Sequence, residues 1–123
     1  MNYFEIKNER EKRMINVVNL TAKLIQCPTV TPNEAGALKL IADLFKDTDF
    51  EIHSIKRGGI SNLFLRWGEK TLPTLAFSGH VDVVPPGNLS KWKFGPFSGK
   101  VVDGVLFGRG AVDMKSSVAA FCS

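Results

Sequence analysis

The sequence predicts an α/β fold, with helices packed on a mixed, largely central-parallel sheet. Three observations carry that expectation. Two stretches of helical period occupy the first 47 residues. From Phe50 the period shortens to two, and an apolar run at 72–77 reads as a central strand buried on both faces. From Gly79 to Gly110 the chain holds seven of its eleven glycines, and a further helix opens at Met114. A length of 123 residues, 44% hydrophobic and 23% charged, suits one soluble globular domain.

Residues 11–27 predict an amphipathic helix with Met14, Val17, Val18, Leu24 and Ile25 on one face. Cys27-Pro28 stops it, because proline disfavours helical geometry in the residue before it. Thr31-Pro32-Asn33-Glu34 has capping-box order and opens a helix carrying Leu38, Ile41, Ala42 and Phe45, ending near Lys46-Asp47. Residues 50–56 alternate Phe50, Ile52 and Ser54 against Glu51, His53 and Ile55, and Gly58-Gly59 follows as a turn. Strands at 62–67 and 73–78 are expected to form a hairpin through Gly68-Glu69-Lys70. A second hairpin joins 100–103 to 105–108 around Asp103-Gly104. The last helix stops at Ser123 without a glycine cap or polar tail, which suggests the front piece of a longer protein.

Composition excludes several classes. The net charge of +4 divides into +2 over residues 1–70 and +2 over 71–123, without a basic stripe or an interleaved aromatic platform. That spread predicts a solvated surface and no nucleic-acid partner. No apolar run reaches the 18 or so residues of a membrane span, so no membrane role is expected. The charged segment 1–13 lacks the apolar region of a secretory signal. Two cysteines, Cys27 and Cys122, with no Cys-x-x-Cys pair, suit a reducing cytoplasm and read as inert.

Two short segments can do chemistry. Ser78-Gly79-His80-Val81-Asp82 follows the expected central strand, where open sheets bind ligands. In extended chain, residues i and i+2 point to one side, so His80 and Asp82 can share a pocket. Imidazole is a strong zinc ligand, and a carboxylate accepting its other ring N–H fixes the tautomer; alternatively the pair merely caps a strand end. The second segment, Leu106-Phe107-Gly108-Arg109-Gly110-Ala111-Val112-Asp113-Met114-Lys115, sets an acid at a strand-to-helix junction behind close-approach glycines. Asp113 could ligate a metal. On spacing alone, capping the following helix is the stronger reading. Between the segments, Pro85-Pro86-Gly87 makes a stiff loop behind Asp82, with Trp92, Phe94 and Phe97 packing beneath it. There is no Gly-x-Ser-x-Gly elbow, and His53 stands apart from both segments, so serine or cysteine hydrolase chemistry is disfavoured.

Taken together, the run from Ser78 through Gly87, then Trp92 with Pro96-Phe97, then the run from Asp103 through Lys115 resemble the co-catalytic zinc aminoacylase and carboxypeptidase family. The stretch from Pro28 through Gly36 resembles that family's N-terminal loop and helix. Small departures are Val81, where threonine is common, and Ser116 in place of glycine. The resemblance implies a two-zinc amidohydrolase, with two Zn2+ (or Co2+) per complete active site. By motif position His80 is expected to ligate one metal, Asp113 to bridge both, and Asp82 to act in catalysis by orienting His80. The metals would make hydroxide available near neutral pH, and a glutamate would serve as general base.

The resemblance also implies a small-molecule acyl-amino-acid substrate and, for a full-length member, a homodimer. The Pro85-Pro86-Gly87 extension and the 106–111 run favour members that release succinate from N-succinyl-L,L-2,6-diaminopimelate, on the route to lysine and cell-wall precursors. Alternatives are another two-zinc deacylase, such as one for acetylornithine, or a dipeptidase. In the family a Glu-Glu pair and further ligands follow well after the Asp motif, whereas here ten residues follow Asp113, none of them acidic. Residues 1–123 are therefore expected to form the N-terminal part of an incomplete catalytic domain, lacking the lid that dimerises. Alone, such a chain should hydrolyse nothing and bind zinc weakly. A non-catalytic truncated remnant is the remaining alternative.

Overall fold

The computed structural model describes residues 15–123. Helix α1 spans Val17–Gln26 and begins where the Asn16 side chain accepts from the Asn19 amide, at 2.9 Å. The part of the expected helix before residue 15, with Met14, lies outside the described residues. The buried face also differs from the expected stripe. It is Leu20, Thr21, Leu24 and Ile25, while Val17 and Val18 face solvent. Thr21 can sit inside because its hydroxyl donates to the Val17 carbonyl at 2.7 Å. At the far end Cys27 turns extended ahead of Pro28.

Helix α2, Ala37–Phe45, starts later than Thr31 would have it. Gly36, at φ 84°, occupies the N-cap position, and the Glu34 carboxylate accepts from the Leu38 amide at 3.2 Å. The Thr31 hydroxyl is used elsewhere, so the capping-box reading fails at its first residue. The helix ends at Lys46, as the pattern predicts.

Strands β1 (Glu51–Arg57) and β2 (Ile60–Arg66) form an antiparallel hairpin with Arg57 opposite Ile60. Gly58 and Gly59, at φ 57° and 82°, supply the left-handed turn that such a two-residue connection needs. Strands β3 (Lys100–Val102) and β4 (Val105–Phe107) repeat the device around Asp103-Gly104. A short 3-10 turn, Leu89–Lys91, lies between the two hairpins.

Helices and short sheets make the chain α/β, but the sheet differs from the expected one. Both sheets are two-stranded and antiparallel, and the parallel element is one bridge, Val30 to Val83. Residues 73–78 form no ladder, and the expected hairpin through Gly68-Glu69-Lys70 is absent. The reason is the hydrogen-bond requirement of a central strand. It needs a neighbour on each side, and among the described residues no strand pairs with 73–78, while β1 and β2 pair only with each other. Leu75 stays 82% exposed and Phe77 64% exposed.

The core is helical. Leu20 and Leu24 of α1, Ala37 and Ile41 of α2, and Val118 and Ala119 of helix α3 (Ser116–Phe121) form one buried cluster, with Leu63, Leu65 and Val81 against it. A wide turn, Ala111–Lys115, leads into α3, with the Lys115 amide donating to the Gly110 carbonyl at 2.9 Å. No helix among the described residues is long and apolar enough to cross a membrane.

Candidate functional site

The site is assembled from three loops tied to this core. The Val83 amide donates to the Thr29 carbonyl at 2.9 Å, and the Thr31 amide donates to the Val83 carbonyl at 3.3 Å. The Thr29 hydroxyl, fully buried, donates to the Val81 carbonyl. With Val81 and Val83 turned inward, His80 and Asp82 are left on the outer side, as strand alternation requires.

Asp113 arrives from the wide turn. Two contacts hold that turn in place. Gly110, at φ 82°, lies so close to Val83 that a Cβ there would meet Val83 Cγ1 at 2.6 Å. Lys115 is fully buried, and its ammonium donates to the carbonyls of Leu24 at 2.8 Å and Cys27 at 2.9 Å. These carbonyls close the end of α1, where Leu24 also accepts from the Cys27 amide and Cys27 from the Thr29 amide. Burial pushes the Lys115 pKa down. Asp113 caps nothing: α3 begins at Ser116, and no side-chain cap precedes it. Its carboxylate is free to face the other loop.

His80 and Asp113 meet there, with Nε2 and Oδ1 at 3.0 Å although the residues are 33 positions apart in sequence. Behind the ring, His80 Nδ1 lies 3.0 Å from the Asp82 carbonyl and 3.3 Å from Asp82 Oδ1. The other Asp82 oxygen, Oδ2, accepts from the Thr31 hydroxyl at 2.7 Å. The Asp82 carbonyl, then the Asp113 and Asp82 carboxylates, favour the imidazolium and raise the His80 pKa above its ordinary 6.5, with partial burial opposing. In a neutral ring the two acceptors at Nδ1 keep the proton there, assigned from these contacts. Nε2 then turns a lone pair on Asp113 Oδ1. Two acceptors 3.0 Å apart repel unless a proton or a cation lies between them.

That spacing is close to what a metal needs. Zinc holds nitrogen and carboxylate oxygen each about 2.0–2.2 Å away, which at a tetrahedral angle sets two such ligands about 3.3–3.6 Å apart, a few tenths of an ångström wider than the pair here. Among the described residues no group of three or more His, Cys, Asp or Glu side chains is arranged around a cation. His80 and Asp113 bring together two side chains of metal-ligating type, and Asp82 stands behind one of them.

The pair faces a cleft of about 640 Å³, lined by Thr31, His80, Asp82, Arg109, Val112 and Asp113 among others. The Arg109 guanidinium lies over the Trp92 ring at 5.3 Å and donates to the Pro85 carbonyl at 3.4 Å. Trp92 Nε1 in turn donates to the Pro86 carbonyl at 3.0 Å, and Phe94 packs edge-on against Phe107. These contacts fasten the loop behind Asp82, so Trp92 and Phe94 pack as the sequence suggests. A second cleft of about 310 Å³, between α2 and the first hairpin, contains none of His80, Asp82 and Asp113. His53 lies on β1 beside Glu51, and burial pushes both cysteine thiols up.

Thr31 and Lys115 escape sequence reading. A hydroxyl residue before proline reads as a helix cap, and a lysine beside Asp113 reads as surface charge. The single hint was a charged residue at the head of an otherwise small and apolar helix.

Comparison with known proteins follows the same residues. Residues 76–123, which hold His80, Asp82 and Asp113, match the pattern of the peptidase family M20/M25/M40. The chain is 53% identical over 104 residues to a succinyl-diaminopimelate desuccinylase of Paracoccus denitrificans, covering 85% of this chain and 27% of the relative. It is 49% identical over 110 residues to one of Roseobacter denitrificans, covering 89% of this chain and 29% of the relative. A third, named succinyl-diaminopimelate desuccinylase 2, of Ruegeria sp., is 47% identical over 115 residues, 93% of this chain and 29% of its own length. The chain thus spans little more than a quarter of the length of these relatives.

Proposed function

We propose that residues 1–123 are the N-terminal part of a metal-dependent amidohydrolase that cleaves N-succinyl-L,L-2,6-diaminopimelate to succinate and L,L-diaminopimelate. The observation that carries this is the 3.0 Å approach of His80 Nε2 to Asp113 Oδ1, with Asp82 behind the ring. Supporting it, the relatives that match most of the chain carry the desuccinylase name. His80 and Asp113 would hold the metal, zinc or cobalt, and Asp113 has a second oxygen with which to bridge a second ion. When bound, the metal supplies Lewis-acid polarisation of the amide carbonyl and a source of hydroxide near neutral pH.

The chain's own residues do the positioning. Asp82 keeps the His80 proton on Nδ1 and so presents Nε2 as a ligand. Gly110 and Lys115 bring the Asp113 turn against the His80 loop. The reaction adds water across one amide bond, and the proton leaves with the amine. A glutamate base and the remaining ligands would come from sequence outside residues 1–123, as would the lid and a dimer contact. The site would work in the cytoplasm on a small acylated amino acid.

Two experiments test this. In zinc titration calorimetry the 123-residue chain should bind weakly, and His80→Ala and Asp113→Ala should each abolish the binding. Equal binding in both variants would overturn the metal reading. For the substrate, residues 1–123 can replace the corresponding segment of the Paracoccus denitrificans relative. The chimera should release succinate from succinyl-diaminopimelate in preference to acetate from acetylornithine. Either alanine variant should lose at least about a hundredfold, since even partners behind a ligand are worth 10–100-fold. A chimera preferring acetylornithine would mark a different deacylase.

A further inference from the structure

Asp82 has two oxygens, and the structure uses them differently. Oδ1 faces His80 Nδ1 at 3.3 Å, while Oδ2 receives the Thr31 hydroxyl at 2.7 Å. Asp82 is exposed, so its carboxylate would rotate freely about its last bond without a second anchor. Thr31 provides one and is itself held by its backbone. Its amide donates to the Val83 carbonyl at 3.3 Å, and the neighbouring Val30 forms the parallel bridge to Val83. The donor of the bond is thus fixed to the same strand segment that carries its acceptor.

We propose that Thr31 is a positioning residue of the His80–Asp113 site, its hydroxyl locking the Asp82 carboxylate so that Oδ1 stays on His80 Nδ1 and Nε2 is left free to bind a metal. This rests on the reading that His80 and Asp113 hold a cation. In this role Thr31 acts through Asp82. The hydroxyl is needed and the methyl is not, which separates this role from simple packing.

The test compares Thr31→Val, which keeps the shape and removes the donor, with Thr31→Ser, which keeps the donor. Long-range 1H–15N correlation on the metal-free chain, with the ring neutral, reads the His80 tautomer. Wild type and Thr31→Ser should hold the proton on Nδ1, and Thr31→Val should move a measurable fraction to Nε2. Zinc affinity, from competition with a chromophoric chelator, should fall about tenfold in Thr31→Val, the low end for a partner behind a ligating histidine, and recover in Thr31→Ser. A wild-type tautomer and affinity in Thr31→Val would overturn the proposal, whatever happens to its melting temperature. Equal losses in the valine and serine variants would overturn it too, since packing would then be the cause. Unchanged zinc binding in His80→Ala would instead sink the cation reading, and the metal-free tautomer would still decide the part played by Thr31.

Discussion

His80 sits between acceptors on both sides: the Asp82 carbonyl at Nδ1 and the Asp113 carboxylate at Nε2. Both contacts favour the charged ring and lie behind its raised pKa. A group whose folded pKa is raised stabilises the fold fully below its unfolded value, and that stabilisation fades as pH rises through the folded value. The His80 contribution should therefore be present below about pH 6.5 and vanish above its raised midpoint. In the proposed site a proton and a metal would compete for Nε2, so zinc affinity should run the opposite way and climb through the same window. An NMR titration of the His80 ring should show a midpoint above 6.5. Asp113→Asn should lower it only in part, because the Asp82 carbonyl is the larger cause. A midpoint at or below 6.5 would contradict the geometry. The His-x-Asp pair was legible because strand alternation alone sets both side chains on one side. The Thr31 bond was not, because a hydroxyl three residues before a glutamate reads equally well as a local helix signal.

At the level of elements, the turn 111–115 and α1 depend on each other through Lys115. Its ammonium satisfies the Leu24 and Cys27 carbonyls from inside the protein. Replacing it with Met keeps much of the volume but removes both charge-assisted hydrogen bonds, leaving the carbonyls with the Cys27 and Thr29 amides alone. A hydrogen bond from a charged donor contributes about 1.5–3 kcal/mol, and its loss is partly offset by no longer burying a charge. Lys115→Met should lower stability by roughly 1–3 kcal/mol in urea denaturation, and loosen the Asp113 turn ahead of the rest in hydrogen exchange. A surface lysine would show neither effect. Helices and hairpins were legible from local pattern: α2 ends at the expected place, and both Gly58-Gly59 and Asp103-Gly104 make their turns. The buried face of α1 was not. Val17 and Val18 are as apolar as Leu20 and Leu24, and only the position of α2 and α3 determines which are covered.

Over the whole molecule, a helical core is well packed while the stretch from Leu72 to Phe77 lies open. Leu75 and Phe77 are exposed, and Phe77 stacks on Phe121 at 4.7 Å. Exposed apolar side chains of this kind bind hydrophobic dyes and promote association. The 123-residue chain should therefore enhance anilinonaphthalene sulfonate fluorescence, and Leu75→Ser with Phe77→Ser should reduce the signal without changing the helical circular dichroism. An unchanged signal would mean that the stretch is covered in solution. The parallel sheet expected of this region was the largest departure from the sequence reading. Apolar composition marks a segment as suited to burial between neighbours, but a strand exists only where another backbone offers hydrogen bonds.

Local chemistry was thus readable in one dimension: helix periods, glycine turns, and a histidine and an aspartate spaced to share one side of a strand. Contacts between loops were not, because nothing in a linear pattern records which side chains meet across 33 or 51 positions. Packing α1 against α3 brings Asp113 to His80, and the bridge at Val83 brings Thr31 to Asp82. Those distances come from the burial of apolar faces elsewhere in the chain, a sum over many residues that no single motif contains.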